Sequence, residues 1–221
     1  MKNKPSAVLW TGGKDCALAM HEAMQLGYEI VKLVTFAPKE ANFRAHPLPV
    51  LIAQSESLEI PLQIINIQEP YAVSYEQEIA RLKAEGIETL ITGDIDFVAN
   101  QPNWIRERSL AVGIEVLTPL WHRDRQELLN LITEHDFRII LSCVKKPWFT
   151  KSWLGDELTA DKIEQLTFLN TLNGVDICGE NGEYHTLALD GPMFKKRIYI
   201  KWNPVQEDNL FYLDITNIEL K

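Results

Sequence analysis

Apolar residues fall along the first 120 positions in short runs separated by amphipathic stretches. Residues 7–10 are an apolar run of strand length. Ala17, Leu18, Met20, Ala23 and Met24 then recur at helical spacing over 14–26, and Gly27 marks a stop. The alternation continues with strands expected over 30–36, 62–67, 89–94 and 114–120. Helices are expected over 49–58, 71–85 and 104–112, with Gly86 and Gly113 closing the last two. This order calls for a parallel sheet with helices on both faces. Right-handed crossovers then give an α/β, doubly wound, Rossmann-like sheet of five strands. Ligands of such sheets sit beyond the C-terminal ends of the strands, so 11–16 and 93–96 are where chemistry is expected.

The second half has another rhythm. Helices are expected over 125–135 and 160–172, and strands over 138–144, 184–189, 197–202 and 210–218. The last two strands suit a hairpin turning at 207–209. This reads as a smaller C-terminal α+β domain, 122–221, after an α/β domain over 1–121. No Gly/Ser linker marks the boundary, and no internal repeat or low-complexity segment interrupts the chain.

Composition narrows the classes. A 46% hydrophobic chain of 221 residues can bury a sizeable core. A net charge of −9 argues against broad binding to nucleic acid or anionic membrane. Cys16, Cys143 and Cys178 are far apart and form no CxxC pair, which argues against zinc or a dithiol redox centre and for a reducing compartment. Residues 1–5 are polar, without the apolar stretch of a signal peptide. No apolar run approaches the roughly 18 residues that span a bilayer. The cytoplasm is the expected location.

The loop Thr11-Gly12-Gly13-Lys14-Asp15-Cys16 joins a strand to a helix. Paired glycines allow positive φ and close backbone approach. The helix start aims free N–H groups and its dipole at the loop, so phosphate is the natural guest. Thr11 and Asp15 add hydrogen-bonding groups, and Lys14 adds charge. GxxxxGK[ST] and GxGxxG are both absent. The plain alternative is a Gly-Gly turn with Asp as a helix cap. Glu180 and Glu183 form an acidic turn that suits Mg²⁺, ammonium or a nucleophile, or is merely solvated. His185 fits a packed strand position as well as a ligand contact, His46 an exposed loop as well as a nucleotide, and 190–192 a simple turn.

The loop resembles the SGGxDS pyrophosphate loop (PP-loop) of the N-type ATP pyrophosphatases, which are adenine nucleotide alpha hydrolase-like proteins of the HUP fold. Thr11 stands for the first Ser and Cys16 for the last. Cys16 is a weaker donor than Ser and, at a helix start, a more acidic thiol, or simply a small packed residue. Gly93-Asp94-Ile95, Pro119-Leu120-Trp121, Ser152-Trp153-Leu154-Gly155, the block GENGEYHT at 179–186 and DGPMF at 190–194 extend the likeness. Together they resemble the diphthine–ammonia ligase (diphthamide synthase) family over about residues 7 to 198. The GENGE form and Trp104 resemble its bacterial-type members. Asp156 stands where the family commonly has Arg, and NQPNW at 100–104 diverges.

The resemblance implies a cytoplasmic ATP-dependent C–N ligase of diphthamide biosynthesis. Such an enzyme adenylates a carboxylate, releases pyrophosphate, and lets ammonia displace AMP. ATP and Mg²⁺ are the implied cofactors, and diphthine on elongation factor 2 the implied acceptor. Thr11, Gly12, Gly13, Lys14, Asp15, Cys16, Phe36, His46, Gly93 and Asp94 become the expected nucleotide contacts, with Asp15 the candidate for Mg²⁺. Trp153, Gly179, Glu180, Asn181, Gly182, Glu183, His185 and Thr186 become the expected substrate contacts. Lys14, Asp15, Glu180 and Glu183 are the candidate catalytic groups. A homodimer is the default expectation, with no membrane and no nucleic-acid partner. The competing readings are an ATP pyrophosphatase acting on another small molecule or RNA, and an adenine-nucleotide sensor without turnover.

Overall fold

The computed structural model describes residues 4–39, 43–97 and 102–221; of the divergent 100–104 stretch, 100 and 101 therefore lie outside the described residues. The chain forms two compact units. One comprises Met1–Thr11, Asp15–Asn42 and Ile60–His122, the other Gly12–Lys14, Phe43–Glu59 and Arg123–Lys221.

In the first unit β1 (Pro5–Leu9), β2 (Glu29–Pro38), β3 (Leu62–Ile67), β4 (Thr89–Ile91) and β5 (Glu115–Leu117) make one sheet. Every pairing is parallel, in the order β3-β2-β1-β4-β5. The helices of this half are α1 (Lys14–Gln25), α2 (Leu48–Leu58), α3 (Tyr71–Ala84) and α4 (Trp104–Val112). Ala7, Val34, Ile65 and Leu90 from four strands pack with Ile79 and Leu82 of α3. Ile105 and Val112 of α4 close on the same core. The helical spacing of apolar residues therefore did place α3 against the sheet. The strand order reverses between β1 and β4, which is the topological switch point of a doubly wound fold. Residues 11–16 and 92–94 leave the sheet there.

β4 and β5 are shorter than expected. Thr92 N–H still donates to Leu117 O at 3.0 Å, but beyond it the Thr92 hydroxyl turns back to Asp94 and accepts its N–H at 3.1 Å. That local bond replaces the ladder and frees the chain for the site.

The second unit contains α5 (Arg125–Glu134), β6 (Arg138–Lys145), α6 (Ala160–Asn173), β7 (Tyr184–Asp190), β8 (Ile198–Glu207) and β9 (Leu210–Leu220). Its antiparallel sheet has the order β7-β6-β9-β8. The inner strand β6 is buried throughout 139–144. β8 and β9 form the expected hairpin, with Asp208 at φ 50° in the turn. β8 runs past the expected end at Trp202 and carries Pro204 opposite Leu213. An edge strand tolerates proline, because the missing N–H faces no partner.

α2 is the departure from simple alternation. It connects two strands of the parallel sheet, yet it belongs to the second unit and packs on β8 and β9. Its buried face holds Val50, Leu51, Ala53 and Leu58 together with two polar residues, Gln54 and Ser57. Among the described residues no helix is long and apolar enough to cross a membrane.

Candidate functional site

The loop at 11–16 begins under control of the sheet. Trp10 N–H donates to Val34 O at 2.7 Å, and the Thr35 hydroxyl donates to Trp10 O at 2.6 Å. Thr11 is exposed, and its hydroxyl lies 3.6 Å from the Cys16 sulfur. Cys16 is buried in the first turn of α1, so its side chain is packed rather than presented. Asp15 beside it is half-buried. Gly93, after β4, lies against this turn: a Cβ there would come 2.5 Å from Asp15 C and 2.6 Å from Cys16 N. No other residue fits, since the obstacle is backbone. Asp94 follows, its carboxylate taking the Thr92 hydroxyl and the Asn103 amide, the latter at 2.6 Å. Asn103 also caps α4 by accepting the Arg106 N–H at 2.9 Å. Phe36 meets Tyr75 at a tilt with centroids 4.6 Å apart, and Tyr75 meets Trp104 edge-on at 6.0 Å. Thr11, Asp15, Cys16, Phe36, Gly93 and Asp94 all belong to the first unit.

Gly12, Gly13 and Lys14 belong to the second unit, and β7 explains why. Ala188 N–H donates to Gly12 O at 2.8 Å, and Lys14 N–H donates to the Thr186 hydroxyl at 3.0 Å. Gly12 has φ +79°, which an L side chain rarely adopts. A Cβ on Gly13 would lie 3.2 Å from both oxygens of Thr186 and 3.5 Å from His46 Nε2. His46 and His185 meet edge-on with centroids 5.3 Å apart. Thus Gly13 and Lys14, His46 and Thr186 of the GENGEYHT block are neighbours, although the block lies more than 130 residues beyond both the glycines and His46 in sequence.

The Lys14 side chain is buried, with Nζ 5.7 Å from the centre of the Tyr184 ring. His46 is pushed down to about 3, chiefly by burial and further by His185 and Lys14, against a hydrogen bond with the Thr186 backbone. His46 is therefore a neutral imidazole at physiological pH. His185 is exposed, so the reading of it as a packed strand residue does not hold. Phe149 lies 5.7 Å from Tyr184 and 5.2 Å from Trp153, so an aromatic row links Trp153 to the ring beside Lys14. Lys162 Nζ sits 4.2 Å above Trp153 and 2.8 Å from Asp156. The Asp at 156 thereby holds a lysine over the tryptophan.

The acidic turn is held from within. Gly182 N–H donates to Gly179 O at 3.0 Å, and both glycines have positive φ. A Cβ on Gly179 would come 3.0 Å from the Tyr184 ring. Glu183 is buried and accepts from Asp176 N at 3.1 Å, Asn181 N at 3.0 Å and Asn181 Nδ2 at 3.2 Å. Its carboxylate organises the turn. Glu180 is half-buried and Asn181 exposed, so they are the groups of this turn that a ligand reaches more readily.

The sequence reading missed Gln54, whose Nε2 donates to Gly12 O at 2.8 Å and to Ala188 O at 2.7 Å. A polar residue on an otherwise apolar helix face was the available signal. Asp176 was also missed: it pairs with Arg125 at 2.9 Å and accepts Cys178 N–H at 2.8 Å. No pattern in the sequence singled it out.

Comparison with known proteins places the chain in a family. The family model described as diphthamide synthase N-terminal domain matches residues 4–115, and that described as diphthamide synthase C-terminal domain matches 124–219. A diphthine–ammonia ligase of Schizosaccharomyces pombe is 28% identical over 90% of this chain, which spans 36% of that protein's length. A diphthine–ammonia ligase of Homo sapiens is 26% identical over 88% of this chain and 82% of its own. A solved structure titled as a predicted subunit of tRNA methyltransferase from Methanocaldococcus jannaschii covers 85% of this chain and 97% of that one, at TM-score 0.49 and 16% identity. A likeness that slight carries no functional inference. With both family models matched in order along the chain, the protein belongs to the diphthamide synthase family.

Proposed function

We propose that the chain is an ATP-dependent ligase that adenylates a carboxylate, releases pyrophosphate, and lets ammonia displace AMP to form an amide. The acceptor proposed is diphthine on elongation factor 2, in keeping with the diphthine–ammonia ligases to which the chain is similar. The observation that carries this reading is the loop 11–16. It has a positive-φ glycine, a second glycine where a side chain would be tight against Thr186, a helix start, and Lys14 and neutral His46 beside it.

The chemistry asks little covalent work of the protein. A carboxylate oxygen attacks the α-phosphorus, and the bond to pyrophosphate breaks. Ammonia then attacks the acyl carbon, the bond to AMP breaks, and a proton leaves the nitrogen. Positioning and charge stabilisation supply most of the acceleration in such transfers. The backbone of Gly12 and Gly13 approaches the phosphates, and Lys14 supplies positive charge. Asp15, half-buried in the first turn of α1, is the residue proposed to hold Mg²⁺, which would neutralise phosphate charge. Glu180, Asn181 and His185 are proposed to face the acceptor, with Trp153 lining its site. We assign nucleotide binding to a domain over 1–121 and acceptor binding to one over 122–221. Three buried thiols suit a reducing, cytoplasmic setting, and a homodimer is our default.

Incubation with ATP, Mg²⁺, ammonium and diphthine-bearing elongation factor 2 tests the reading. The expected products are AMP, pyrophosphate and amidated factor in equal amounts. ADP and phosphate would overturn the mechanism. Amide formation on a different carboxylate would overturn the acceptor alone, and tight ATP binding without products would replace the ligase with a sensor.

A further inference from the structure

Gln54 is fully buried on α2, and neither hydrogen of its amide is idle: Nε2 reaches Gly12 O at 2.8 Å and Ala188 O at 2.7 Å. A side-chain amide offers two donors, and here both meet backbone carbonyls. Gly12 O also takes the Ala188 N–H at 2.8 Å. The Gly12 peptide is therefore fixed from the helix and from β7 together. The amide's other end is close as well, since Gln54 Oε1 lies 2.6 Å from where a Gly12 Cβ would stand. Gln54 thus sets how near the loop backbone comes and which way its carbonyl points. Once that carbonyl is turned toward Gln54 and β7, the peptide cannot flip without breaking these bonds.

One helical turn on, Ser57 shares the buried face but serves another segment. Its carbonyl accepts Lys195 N–H at 2.8 Å, and its hydroxyl accepts Lys196 N–H at 3.2 Å and donates to Lys196 O. Neighbours three apart on a helix lie on one face, so α2 carries two polar latches of which only one touches the loop.

We propose that Gln54 is a positioning residue for phosphate binding: it locks the Gly12 peptide so that the 12–14 backbone is preset for an anion. The consequence for nucleotide rests on the ligase reading, whereas the locking itself does not. Ser57 supplies the control, being equally buried and polar but remote from the loop. Three variants are compared with the full-length wild type: Gln54→Met, Gln54→Asn and Ser57→Ala. Amide hydrogen exchange over 12–15 is measured without ligand, ATP affinity by calorimetry, and KM for ATP and for ammonium by turnover.

Exchange over 12–15 should accelerate in Gln54→Met and stay as wild type in Ser57→Ala. ATP affinity should fall about tenfold or more in Gln54→Met, with KM for ammonium unchanged, as expected for loss of preorganisation rather than of fold. Gln54→Asn keeps the amide on a shorter arm and should lie between, which keeps the idea testable even if Gln54→Met folds poorly. Wild-type exchange and ATP affinity in both Gln54 variants would overturn the proposal, as would an equal loss of ATP affinity in Ser57→Ala. Faster exchange in Gln54→Met in a protein whose wild type binds no ATP would support the locking and refute the ligase.

Discussion

Among single residues His46 makes the sharpest physical statement. Burial, His185 and Lys14 together hold its imidazole near a pKa of about 3, against 6.5 when unhindered. Below pH 6.5 the unfolded chain gains a proton that the folded chain refuses until about pH 3. Stability attached to this residue is thus whole above pH 6.5 and is lost as pH falls through that window. His46→Gln keeps a polar side chain without the titration. Urea midpoints at pH 7 and pH 4.5 should differ less in this variant than in the wild type; an identical difference would show that His46 is not protected from protons. How a sequence hides such a residue is plain here. A histidine in a loop next to Pro47 looks exposed, whereas the approach of Gly13 and β7 leaves it half-buried. Gly93 was easier to read, because it falls just after the fourth strand and within the Gly93-Asp94-Ile95 motif. Gln54 was hardest, since helical spacing identifies a buried face but cannot say that two carbonyls wait on it.

Among elements, the turn from Asp176 to Glu183 decides which carboxylates are available for chemistry. Both Glu183 oxygens are spoken for by donors of the same turn, while Glu180 is half-buried. Glu183→Gln puts an amide against N–H donors and should cost about 2 kcal/mol of stability, as for a lost charged hydrogen bond. Glu180→Gln, at a half-buried position, should cost less than Glu183→Gln. Chemical denaturation checks both, and product assays on the two folded variants then separate the roles. A stable Glu180→Gln protein with lost turnover places catalysis at Glu180. A Glu183→Gln protein of wild-type stability would contradict the turn-holding role. Sequence spacing showed the two acids as a pair; it could not show that one is consumed by Asn181 and Asp176. The strands and helices themselves were largely legible, because α1, α3 and the β8–β9 hairpin each carry their own periodicity and stop residues. β4, β5 and β8 were misjudged at their ends, where a Thr–Asp bond or a tolerated edge proline, rather than hydrophobic pattern, fixes the boundary.

At the scale of the molecule, the compact units and the order of the sequence do not coincide. The chain passes from one unit to the other at 11/12, 14/15, 42/43, 59/60 and 122/123. A reading by alternation assigns α2 to the parallel sheet, because it lies between β2 and β3. Packing assigns it to the second unit, where Ser57 holds 195–196 and Gln54 holds β7. That difference is invisible to periodicity, which reports that a helix has a buried face and not what buries it. Its consequence is measurable by cutting the chain. A fragment of residues 122–221 would lack α2, with the buried Val50, Leu51 and Leu58, and would lack the Gly12 carbonyl that joins β7. Burial of one such aliphatic side chain contributes about 1.5–3 kcal/mol, and a whole domain is stable by only about 5–15 kcal/mol. The loss is of the same order as the total. The 122–221 fragment should therefore show a broad, shallow urea transition, where the intact chain shows a steep one. Adding a peptide of residues 43–59 in excess should steepen it, since a ligand that binds only the folded form stabilises it by mass action. A fragment that unfolds as steeply as the intact chain, with no response to the peptide, would mean that the second unit is complete without α2.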